Sequence, residues 1–401
     1  MAIKLISMPI KITWVTRSFL DYRIPVFQAL DEMCGHELRV IYYKDVPPVK
    51  CREKLSAVLG DRAVARENEL RIGNKPKIDN MSLSNTSFRI PVSPGLIKQV
   101  IDTKPDVLVS DGFMQWTYAA LAVRALKGIP HVMCYERTAH TERNASGLRK
   151  AYRRFVSRWI DAIDCNGSLT GEYVKELLGW DDARLTYGHM VADVGGLQKK
   201  VRAITAEERE NLRQKLGVRD VMLLYMGQLI SRKGVRELLS AYGHIAERIP
   251  NMTMVMVGGG PLEEELRKRI VEEKIPNVVL TGKVDYDSVA TYYKAADCFI
   301  LPTTEDNWSL VVPEAMACGL PVATTIYNGC HPELVHPENG WVFDSLNTKS
   351  IEETLLDIYA NREQLSEKGR ASQRIVANET AERAARSIME AIEKAKKHCG
   401  K

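Results

Sequence analysis

The stretch Val221–Arg248, with the sequence VMLLYMGQLISRKGVRELLSAYGHIAER, contains the pattern that decides the fold. Its first six residues, Val221–Met226, form an apolar run of the length of a buried strand, and Val235–Arg248 has apolar residues at helical spacing. A polar loop bounded by glycines, Gly227–Gly234, joins the two. A short buried strand followed by a polar loop and a helix is the repeating unit of a parallel, helix-covered sheet.

The same alternation extends through the rest of the chain. In the first half, strands are predicted at Ile10–Thr16, Glu37–Tyr43, Val107–Ser110 and Pro130–Tyr135, and helices at Ile24–Met33 and Gln115–Lys127. In the second half, further strands are predicted at Thr253–Val257, Val278–Thr281, Cys298–Leu301 and Pro321–Thr324, and further helices at Leu262–Glu273 and Val289–Ala295. The predicted fold class is therefore α/β, with two doubly wound domains.

A charged break without strand character, Gly195–Glu210, separates the two halves. A chain of 401 residues is also too long for one ordinary core, and two domains of about 200 residues are expected. We predict an N-terminal domain over residues 1–195, a linker over 196–210, a C-terminal domain over 211–375, and a C-terminal helix over 376–401 that could cross back to the N-terminal domain. Between Lys44 and Arg89 the pattern is weak and predicts a long polar surface excursion.

The composition is that of a folded cytoplasmic protein. Hydrophobic residues make up 45% of the chain and charged residues 27%, which argues against disorder. The net charge of +5 does not require a nucleic-acid partner, and the eight cysteines have neither zinc-site nor disulfide spacing. The N-terminal segment lacks the features of a signal peptide, and no stretch approaches the roughly 20 apolar residues that span a bilayer. The expected location is the cytoplasm, with room for peripheral contact at the inner face of the membrane.

Ligands of doubly wound sheets bind at the carboxyl ends of the strands, so the loops there form the candidate site. Gly227–Gly234 contains Lys233 at a helix start, where a lysine can neutralise a diphosphate as a point charge. The glycine loop Gly258-Gly259-Gly260-Pro261 would let the backbone approach a phosphate or a sugar, and it precedes a helix N-terminus with free N–H groups. Each loop taken alone is equally consistent with a structural turn.

The most informative loop follows the predicted strand Cys298–Leu301. It contains Asp306, and Glu314 lies eight residues further on, in an amphipathic helix that ends at Gly319-Leu-Pro321. A carboxylate among apolar neighbours is costly to bury without a hydrogen-bond donor. The ribose hydroxyls of a nucleotide are suitable donors, which favours a nucleotide site over a solvent-facing glutamate.

These segments, in their order and spacing, resemble glycosyltransferase family 4, a large family of retaining enzymes with the GT-B architecture. The resemblance covers nearly the whole chain. It rests on Trp14-Val-Thr with Asp21-Tyr-Arg-Ile-Pro-Val-Phe, Gly227 to Lys233-Gly, the Gly258 loop, Thr281-Gly-Lys-Val284 and the stretch Asp306–Glu314. It implies two Rossmann-like domains with the active site in the cleft between them, the acceptor bound by the N-terminal domain and a nucleotide sugar by the C-terminal one.

The resemblance also implies roles for individual residues at the donor site. Glu314 matches the glutamate that holds the donor ribose, Lys233 matches the diphosphate lysine, and Asp306 stands where a glutamate would face the transferred sugar. Gln228 replaces an arginine, so Arg232 is the candidate for the missing charge. The other donor-binding positions are Asn307, Ser309 and Leu310 around the sugar and diphosphate, Gly259 in the glycine loop, and Lys283 and Val284 against the base.

The loop after the predicted strand Pro130–Tyr135 is expected to face the donor. Relatives often have a histidine at its first position, where this chain has Glu136, and His140 follows one helical turn on. Either side chain could contact the transferred sugar or the acceptor, although a lone histidine is more often structural. Glu136 and His140 are therefore predicted as catalytic residues together with Lys233 and Asp306.

The resemblance implies a metal-independent transfer, in which the leaving diphosphate accepts the proton of the acceptor on the same face. No metal site and no cofactor besides the donor substrate are then expected. Asp285-Tyr-Asp287 matches an Asp-x-Asp pattern, but Asp287 before Ser288 is better interpreted as a helix N-cap. The expected reaction moves a hexose or N-acetylhexosamine, with UDP favoured over GDP in the donor, to a glycan, lipid-linked or small-molecule acceptor.

Two other functions stay open. A sugar-nucleotide epimerase of the same architecture would also bind UDP, and a non-catalytic nucleotide-binding subunit could activate a partner transferase. Gln228 and Asp306, the two departures from the family pattern, keep the second alternative open. An NAD-dependent dehydrogenase is disfavoured, because no Gly-x-Gly-x-x-Gly follows the first strand.

The segment Gly147–Ile160, GLRKAYRRFVSRWI, predicts a basic amphipathic helix without an acidic residue. Its cations are Arg149, Lys150, Arg153, Arg154 and Arg158. An apolar stripe on another face consists of Leu148, Tyr152, Phe155 and Trp159. Such a helix can lie in the interface of an anionic membrane. The alternative is a core helix whose apolar stripe packs on the sheet while the arginines face water.

Overall fold

The computed structural model describes residues 9–73, 89–285 and 288–399, and these residues form two compact units. The first unit takes in residues 9–73, 89–191 and 381–399, and the second takes in 192–285 and 288–380. Each unit is an α/β structure with a parallel sheet, which confirms the predicted fold class.

The first unit contains strands and helices from both ends of the chain. Its strands are β1 Ile12–Val15, β2 Leu38–Tyr43, β3 Ala63–Arg66, β4 Leu70–Gly73, β5 Arg89–Val92, β6 Val107–Asp111, β7 His131–Tyr135, β8 Ala162–Cys165 and β9 Leu185–Tyr187. Its helices are α1 Arg23–Met33, α2 Val49–Leu59, α3 Leu96–Asp102, α4 Thr117–Lys127, α5 Gly147–Val156, α6 Ser168–Leu178 and α16 Ala381–Cys399.

The described strands and helices of the second unit all lie between residues 192 and 380. Its strands are β10 Val221–Met226, β11 Met252–Val257, β12 Val278–Gly282, β13 Cys298–Leu301, β14 Val322–Thr325 and β15 Gly340–Phe343. Its helices are α7 Val194–Ala203, α8 Ala206–Lys215, α9 Val235–Ile245, α10 Glu263–Glu272, α11 Val289–Ala295, α12 Val311–Ala317, α13 His331–Leu334, α14 Thr348–Ala360 and α15 Leu365–Val376.

The sheet of the first unit has the strand order β3-β2-β1-β6-β7-β8-β9, and its described pairings are parallel. The strand β1 is buried on both faces, because successive side chains of a strand point to opposite sides. On one face Trp14 packs edge-on against Phe27 of α1, with the ring centroids 5.0 Å apart. On the other face Val15 joins the cluster around Trp116 and Ala120.

The sheet of the second unit has the order β12-β11-β10-β13-β14-β15, also with parallel pairings. In each sheet the strand order reverses beside the first strand, between β1 and β6 and between β10 and β13. Such a reversal leaves a crevice at the carboxyl ends of the two strands, which is where ligands bind in open α/β sheets.

The helix α16 returns the end of the chain to the first unit and packs against α1. Its buried face consists largely of small residues that allow a close approach, and Ile388 and Ile392 fill the core between them. Ser387 Oγ donates a hydrogen bond of 2.7 Å to the buried Asp164 Oδ2 on β8. Lys394 Nζ donates to the backbone carbonyls of Asp182 and Leu185, so the helix is held by polar contacts at β9 as well.

Two segments differ from the prediction. The predicted linker over 196–210 is helical, since α7 and α8 occupy it, and the boundary between the units lies at residues 191 and 192. A capping box between Thr205 and Glu208 starts α8, which explains why a charged segment is helical here. The predicted polar excursion between Lys44 and Arg89 contains α2, β3 and β4, while residues 74–88 lie outside the described part.

Within the described ranges, no helix has the length and apolar character that crossing a bilayer requires.

Candidate functional site

The loops that follow β10 and β13 are joined by hydrogen bonds at the point where the strand order of the second sheet reverses. The backbone carbonyl of Arg232 accepts hydrogen bonds from the hydroxyls of Thr303 and Thr304, at 2.9 and 3.1 Å, and from the Thr304 N–H. Gly234 follows with a φ of +66°, and a Cβ at this position would collide with the carbonyl oxygen of Pro302. The Gly227–Gly234 loop is therefore held in one conformation against the loop that contains Asp306.

Lys233 and Asp306, predicted from sequence as separate ligand contacts, form an ion pair with each other. Their side chains are only 14% and 12% exposed. Burial alone would raise the pKa of Asp306, but the Lys233 ammonium outweighs it, and the pKa of this carboxyl lies below its usual range. The pair places one fixed positive and one fixed negative charge at the carboxyl ends of β10 and β13.

The polar residues after Asp306 are drawn into the same loop. The Trp308 N–H donates to Asp306 Oδ1 at 3.3 Å, and the Ser309 N–H donates to Asn328 Oδ1 at 3.3 Å. Asn307 is buried, and its Oδ1 has no hydrogen-bond partner within the described part of the chain. Leu310 is half-buried and precedes α12. A buried amide oxygen without a partner is unusual in a native protein and indicates that a ligand group can approach it.

A cavity of about 300 Å³ opens at the carboxyl ends of β10, β11 and β12. It brings together four residues that the sequence assigned to the donor: Gln228, Gly259, Lys283 and Val284. Gln228 is exposed, and its backbone carbonyl accepts a 2.8 Å hydrogen bond from the Tyr225 hydroxyl. Arg232, the candidate to replace the missing arginine charge, is half-buried in the same loop but does not line this cavity among the described residues.

The three glycines of the loop after β11 serve two purposes. A Cβ on Gly258 would collide with the carbonyl of Gly227, and a Cβ on Gly260 with the carbonyl of Leu229. These two glycines are needed for the packing of two loops, which is the structural explanation that the sequence left open. Gly259 instead lines the cavity, where an added Cβ would lie 3.0 Å from Cγ of Lys283.

Glu314 lies on α12 and is half-buried among apolar neighbours. Its Oε2 accepts a hydrogen bond of 3.2 Å from the hydroxyl of Tyr293, a fully buried residue of α11. Burial raises the pKa of Glu314 to about 7, although the Tyr293 hydrogen bond acts against the shift and the Asp193 carboxylate adds to it. The protein thus supplies a donor to this carboxylate, so a nucleotide is not needed to explain its burial. The raised pKa nevertheless marks it as a functional candidate.

A second cavity, of about 390 Å³, lies in the first unit at the carboxyl ends of β1, β6 and β7. Glu136 lines it together with Asp111, whose Oδ2 accepts a 3.0 Å hydrogen bond from Trp14 Nε1. His140 is not among its described lining residues, and the His140 carbonyl accepts a 2.6 Å hydrogen bond from Arg143. The structure therefore places one of the two predicted N-terminal candidates, Glu136, in a cavity.

The helix α5 exposes three residues of the apolar stripe that the sequence indicated, Leu148, Tyr152 and Phe155. Leu148 is 80% exposed and Phe155 52%, so these side chains do not pack on the sheet, whereas Trp159 is partly buried against the core cluster that contains Val156. A core helix whose whole stripe packs on the sheet is therefore ruled out. Arg153, counted among the surface cations, is instead buried and makes two 3.0 Å contacts with the Glu142 carboxylate. The opposite face of the helix is the one that packs inward, because Val156 is buried beside Arg153.

The Asp-x-Asp pattern is only partly described, because Asp287 lies outside the described residues. Ser288 precedes α11, and its hydroxyl donates to the backbone carbonyl of Asp285 at 2.7 Å. No group of three or more His, Cys, Asp or Glu side chains suited to a metal ion occurs among the residues that the structure covers.

Some site residues have no local signal in the sequence. Tyr293 contacts a carboxylate 21 residues away, and Arg23 reaches Asp111 across 88 residues. Asn328, which binds the Ser309 N–H, follows β14 within an Asn-Gly pair. Only this last position, at the carboxyl end of a predicted strand, could have been found by the rule that ligand loops follow strands.

Two doubly wound parallel sheets, each with a cavity at its carboxyl edge, define the GT-B class of two Rossmann-like domains. A model of the family described as Glycosyl transferases group 1 matches residues 208–375, and a model of Glycosyltransferase Family 4 matches residues 28–189. The chain belongs to glycosyltransferase family 4.

Individual relatives share about 30% sequence identity or less with this chain, over only part of their length. The GDP-mannose-dependent monoacylated alpha-(1-6)-phosphatidylinositol monomannoside mannosyltransferase of Corynebacterium glutamicum is 27% identical over 221 residues, which cover 53% of this chain and 56% of that protein. The alpha-monoglucosyldiacylglycerol synthase of Streptococcus pneumoniae is 31% identical over 168 residues, or 41% of this chain and 37% of that protein. The chain thus spans little more than half of the first relative and just over a third of the second.

Among solved structures, HepE of Anabaena in complex with UDP superposes with a TM-score of 0.72. The match covers 96% of this chain and all of that chain, at 16% sequence identity. At this identity the similarity shows the fold.

Proposed function

We propose that the chain is a retaining glycosyltransferase that moves a hexose or N-acetylhexosamine from a nucleotide sugar, with UDP favoured over GDP, to a glycan, lipid-linked or small-molecule acceptor. The observation that carries the proposal is the carboxyl edge of the second sheet. There one loop contains Lys233, paired with Asp306, and also lines the cavity next to Lys283 and Val284. The HepE complex with UDP has the same fold, which supports a nucleotide site in this class.

Each group at this edge has a chemical task in the proposed reaction. The base packs against Lys283 and Val284, the ribose hydroxyls donate to Glu314, and the Lys233 ammonium binds the diphosphate. The acceptor oxygen forms a bond to the anomeric carbon on the face from which the diphosphate departs, and its proton passes to the departing diphosphate oxygen. The configuration is therefore retained, and Lys233 stabilises the charge that develops as the old bond breaks.

The test is transfer by the full chain. The protein is incubated with radiolabelled UDP-glucose, UDP-N-acetylglucosamine or GDP-mannose and with extracts of lipids and glycans, and the label is followed into acceptor. Label in an acceptor, with the α-linkage of the donor retained by NMR, supports the proposal. Release of free or epimerised sugar without transfer would favour the epimerase, and nucleotide binding without either reaction would favour a non-catalytic subunit.

Turnover should be unchanged by EDTA, because the proposed chemistry uses the Lys233 ammonium in place of a divalent cation. The measurement compares transfer rates before and after chelation, with added manganese or magnesium as the control. A loss of activity on chelation that either metal reverses would contradict this prediction.

The proposal includes peripheral contact with an anionic membrane through α5 and the turn that follows it. The exposed Leu148, Tyr152 and Phe155 lie beside cations of the same helix, and Arg158 stacks on the Phe155 ring at 4.3 Å. An apolar stripe flanked by cations fits the boundary between acyl chains and acidic headgroups.

We expect the protein to sediment with vesicles of phosphatidylglycerol and phosphatidylcholine, and not with phosphatidylcholine alone. Changing Lys150 and Arg154 to glutamate should weaken binding at least ten-fold, since each cation near the surface contributes roughly 1 kcal/mol. Lys98→Glu with Lys127→Glu, an equal charge change on α3 and α4, is the matched control. Binding that is equally reduced by both pairs, or absent at low salt, would rule out docking through α5.

A further inference from the structure

The cavity of the first unit is rich in arginine. It lies at the carboxyl ends of β1 and β6, where the strand order of this sheet reverses. Its described wall contains three carboxylates, Asp111, Glu136 and Glu142, but twice as many guanidinium groups. These belong to Arg17, Arg23, Arg71, Arg137, Arg149 and Arg153.

The carboxylates of the wall and its surroundings are too few to give each arginine its own partner. Glu69 accepts two hydrogen bonds from Arg17, at 2.7 and 2.9 Å, and a third from Arg71 at 3.0 Å. Glu142 is likewise shared, since it binds Arg153 at 3.0 Å and lies 3.7 Å from Arg137. Glu69 and Glu142 thus each serve two guanidiniums, which leaves an excess of positive charge in the wall.

Arg23 is the most confined of these arginines. It is only 9% exposed, its guanidinium lies over the Trp14 ring, and its Nη2 is 3.3 Å from Asp111 Oδ1. Burial by itself would lower its pKa, but Asp111 reverses the effect, so the guanidinium stays charged. Its Nη1 has no hydrogen-bond partner among the described residues.

One further lining group shares this property. The hydroxyl of Tyr135 is buried without a hydrogen-bond partner in the ranges that the structure covers. Nδ1 of His189, by contrast, lies 3.8 Å from Oδ1 of the buried Asp164. Buried polar groups in native proteins are nearly always satisfied, so two unsatisfied groups in the wall of one cavity indicate a ligand with acceptor oxygens. Phe113 and Met114 add an apolar side to the wall, suited to a sugar ring or an alkyl chain.

We propose that this cavity binds the acceptor through an anionic group, a phosphate or a carboxylate, held by Arg23 and Arg71. Forked guanidiniums bind such planar or tetrahedral oxyanions in pairs of parallel hydrogen bonds, which a neutral sugar hydroxyl cannot match. The inference rests on the proposed transferase function and names the class of acceptor. The oxyanion can come from a sugar phosphate, a uronic acid or a lipid phosphate.

The test measures binding of matched probes to the full chain by calorimetry, in the presence of saturating UDP to fill the donor site. Glucose 6-phosphate and glucuronate are each compared with glucose, and octyl phosphate is compared with octyl glucoside. At least one anionic probe should bind ten-fold or more tightly than its neutral partner. The probe that does so identifies the source of the oxyanion.

Two variants connect the binding to the proposed residues. Arg71→Gln changes a side chain that is 41% exposed, and Arg23→Lys keeps the buried charge but removes the fork. Each variant should lower the affinity for the anionic probe at least five-fold, while Lys127→Gln on α4 should leave this affinity unchanged. Equal affinity for anionic and neutral probes, or variants that bind as the wild type does, would overturn the proposal.

UDP affinity, measured in the same variants, separates this inference from the proposed function. If UDP binds but no anionic probe is preferred, the acceptor assignment alone is wrong. If neither UDP nor GDP binds, the proposed transferase function is wrong, and the anionic site is then not an acceptor site.

Discussion

Replacing Lys233 with alanine should lower the turnover number about 100-fold, the effect expected when one preorganised charge that stabilises a transition state is removed. The reason lies in the Gly227–Gly234 loop, where Arg232 and Gly234 are fastened to the loop after β13. Lys233 is thus held in place before the diphosphate charge develops. Because Gln228 stands where the resemblance to the family implies an arginine, Lys233 is expected to carry most of the diphosphate stabilisation, with Arg232 as the other cation of this loop. The measurement is steady-state kinetics, in which the turnover number should fall more than the donor affinity.

The ion pair with Asp306 complicates this test and also provides its control. Lys233→Ala leaves a buried carboxylate without its partner, which costs about 3 kcal/mol of stability in comparable pairs. The double variant Lys233→Ala with Asp306→Asn removes both charges and should recover the melting temperature but not the turnover. Lys349→Ala, at an exposed position of α14, should change neither. Normal turnover in a stable Lys233 variant would mean that the diphosphate is held elsewhere, with Arg232 the next residue to test.

Donor affinity should rise with pH through neutrality, and Glu314→Gln should abolish this dependence. Ribose hydroxyls donate more strongly to a carboxylate than to a carboxylic acid, and the pKa of Glu314 is about 7. UDP-glucose is the suitable probe, since its diphosphate has no group that titrates near pH 6. Its affinity should increase by up to about ten-fold from pH 6 to pH 8, as the ionised fraction of a group with this pKa rises.

At pH 8 the Glu314→Gln variant should bind UDP-glucose at least ten-fold more weakly, which corresponds to about 1.4 kcal/mol. The free energy of unfolding depends on pH in the opposite direction to the affinity for UDP-glucose. A carboxyl whose pKa is raised by folding contributes stability below its unfolded pKa, and this contribution is lost as pH rises toward 7. At pH 8 the Glu314→Gln variant should therefore bind UDP-glucose more weakly than the wild type, while its melting temperature should not be lower. Glu353→Gln, exposed on α14, is the matched control, and unchanged affinity in Glu314→Gln would refute the ribose assignment.

The strands β1, β10 and β13 at the centre of the two sheets could be predicted because each is a short run that is buried on both faces. Val221–Met226 and Cys298–Leu301 are observed at their predicted bounds. The segment after Lys44 was missed for the converse reason. Only Cys51, Leu55 and Leu59 of α2 are buried, and β3 lies at the edge of its sheet and is partly exposed, so neither has a strong apolar pattern.

The candidate site was predictable where it depends on single loops, and unpredictable where distant segments meet. Lys233, Gly259 and Glu314 follow strands or open helices, and sequence motifs identify them. That Lys233 pairs with Asp306, and that Tyr293 donates to Glu314, depends on which strands are neighbours in the sheet. The arginine-rich cavity is a stronger example, because its lining residues extend from Arg17 to His189 and no local pattern connects them.

The return of α16 to the first unit also determines the order in which the protein can be completed during translation. The core around Trp14 and Leu30 includes Ile388 and Ile392, so it cannot close until the ribosome has passed the whole second unit. The described strands and helices of the second unit all lie between residues 192 and 380, so they are synthesised before α16 and can pack while the first unit still lacks this helix. Domains usually finish in their order of synthesis, whereas here the domain that is begun first must be finished last.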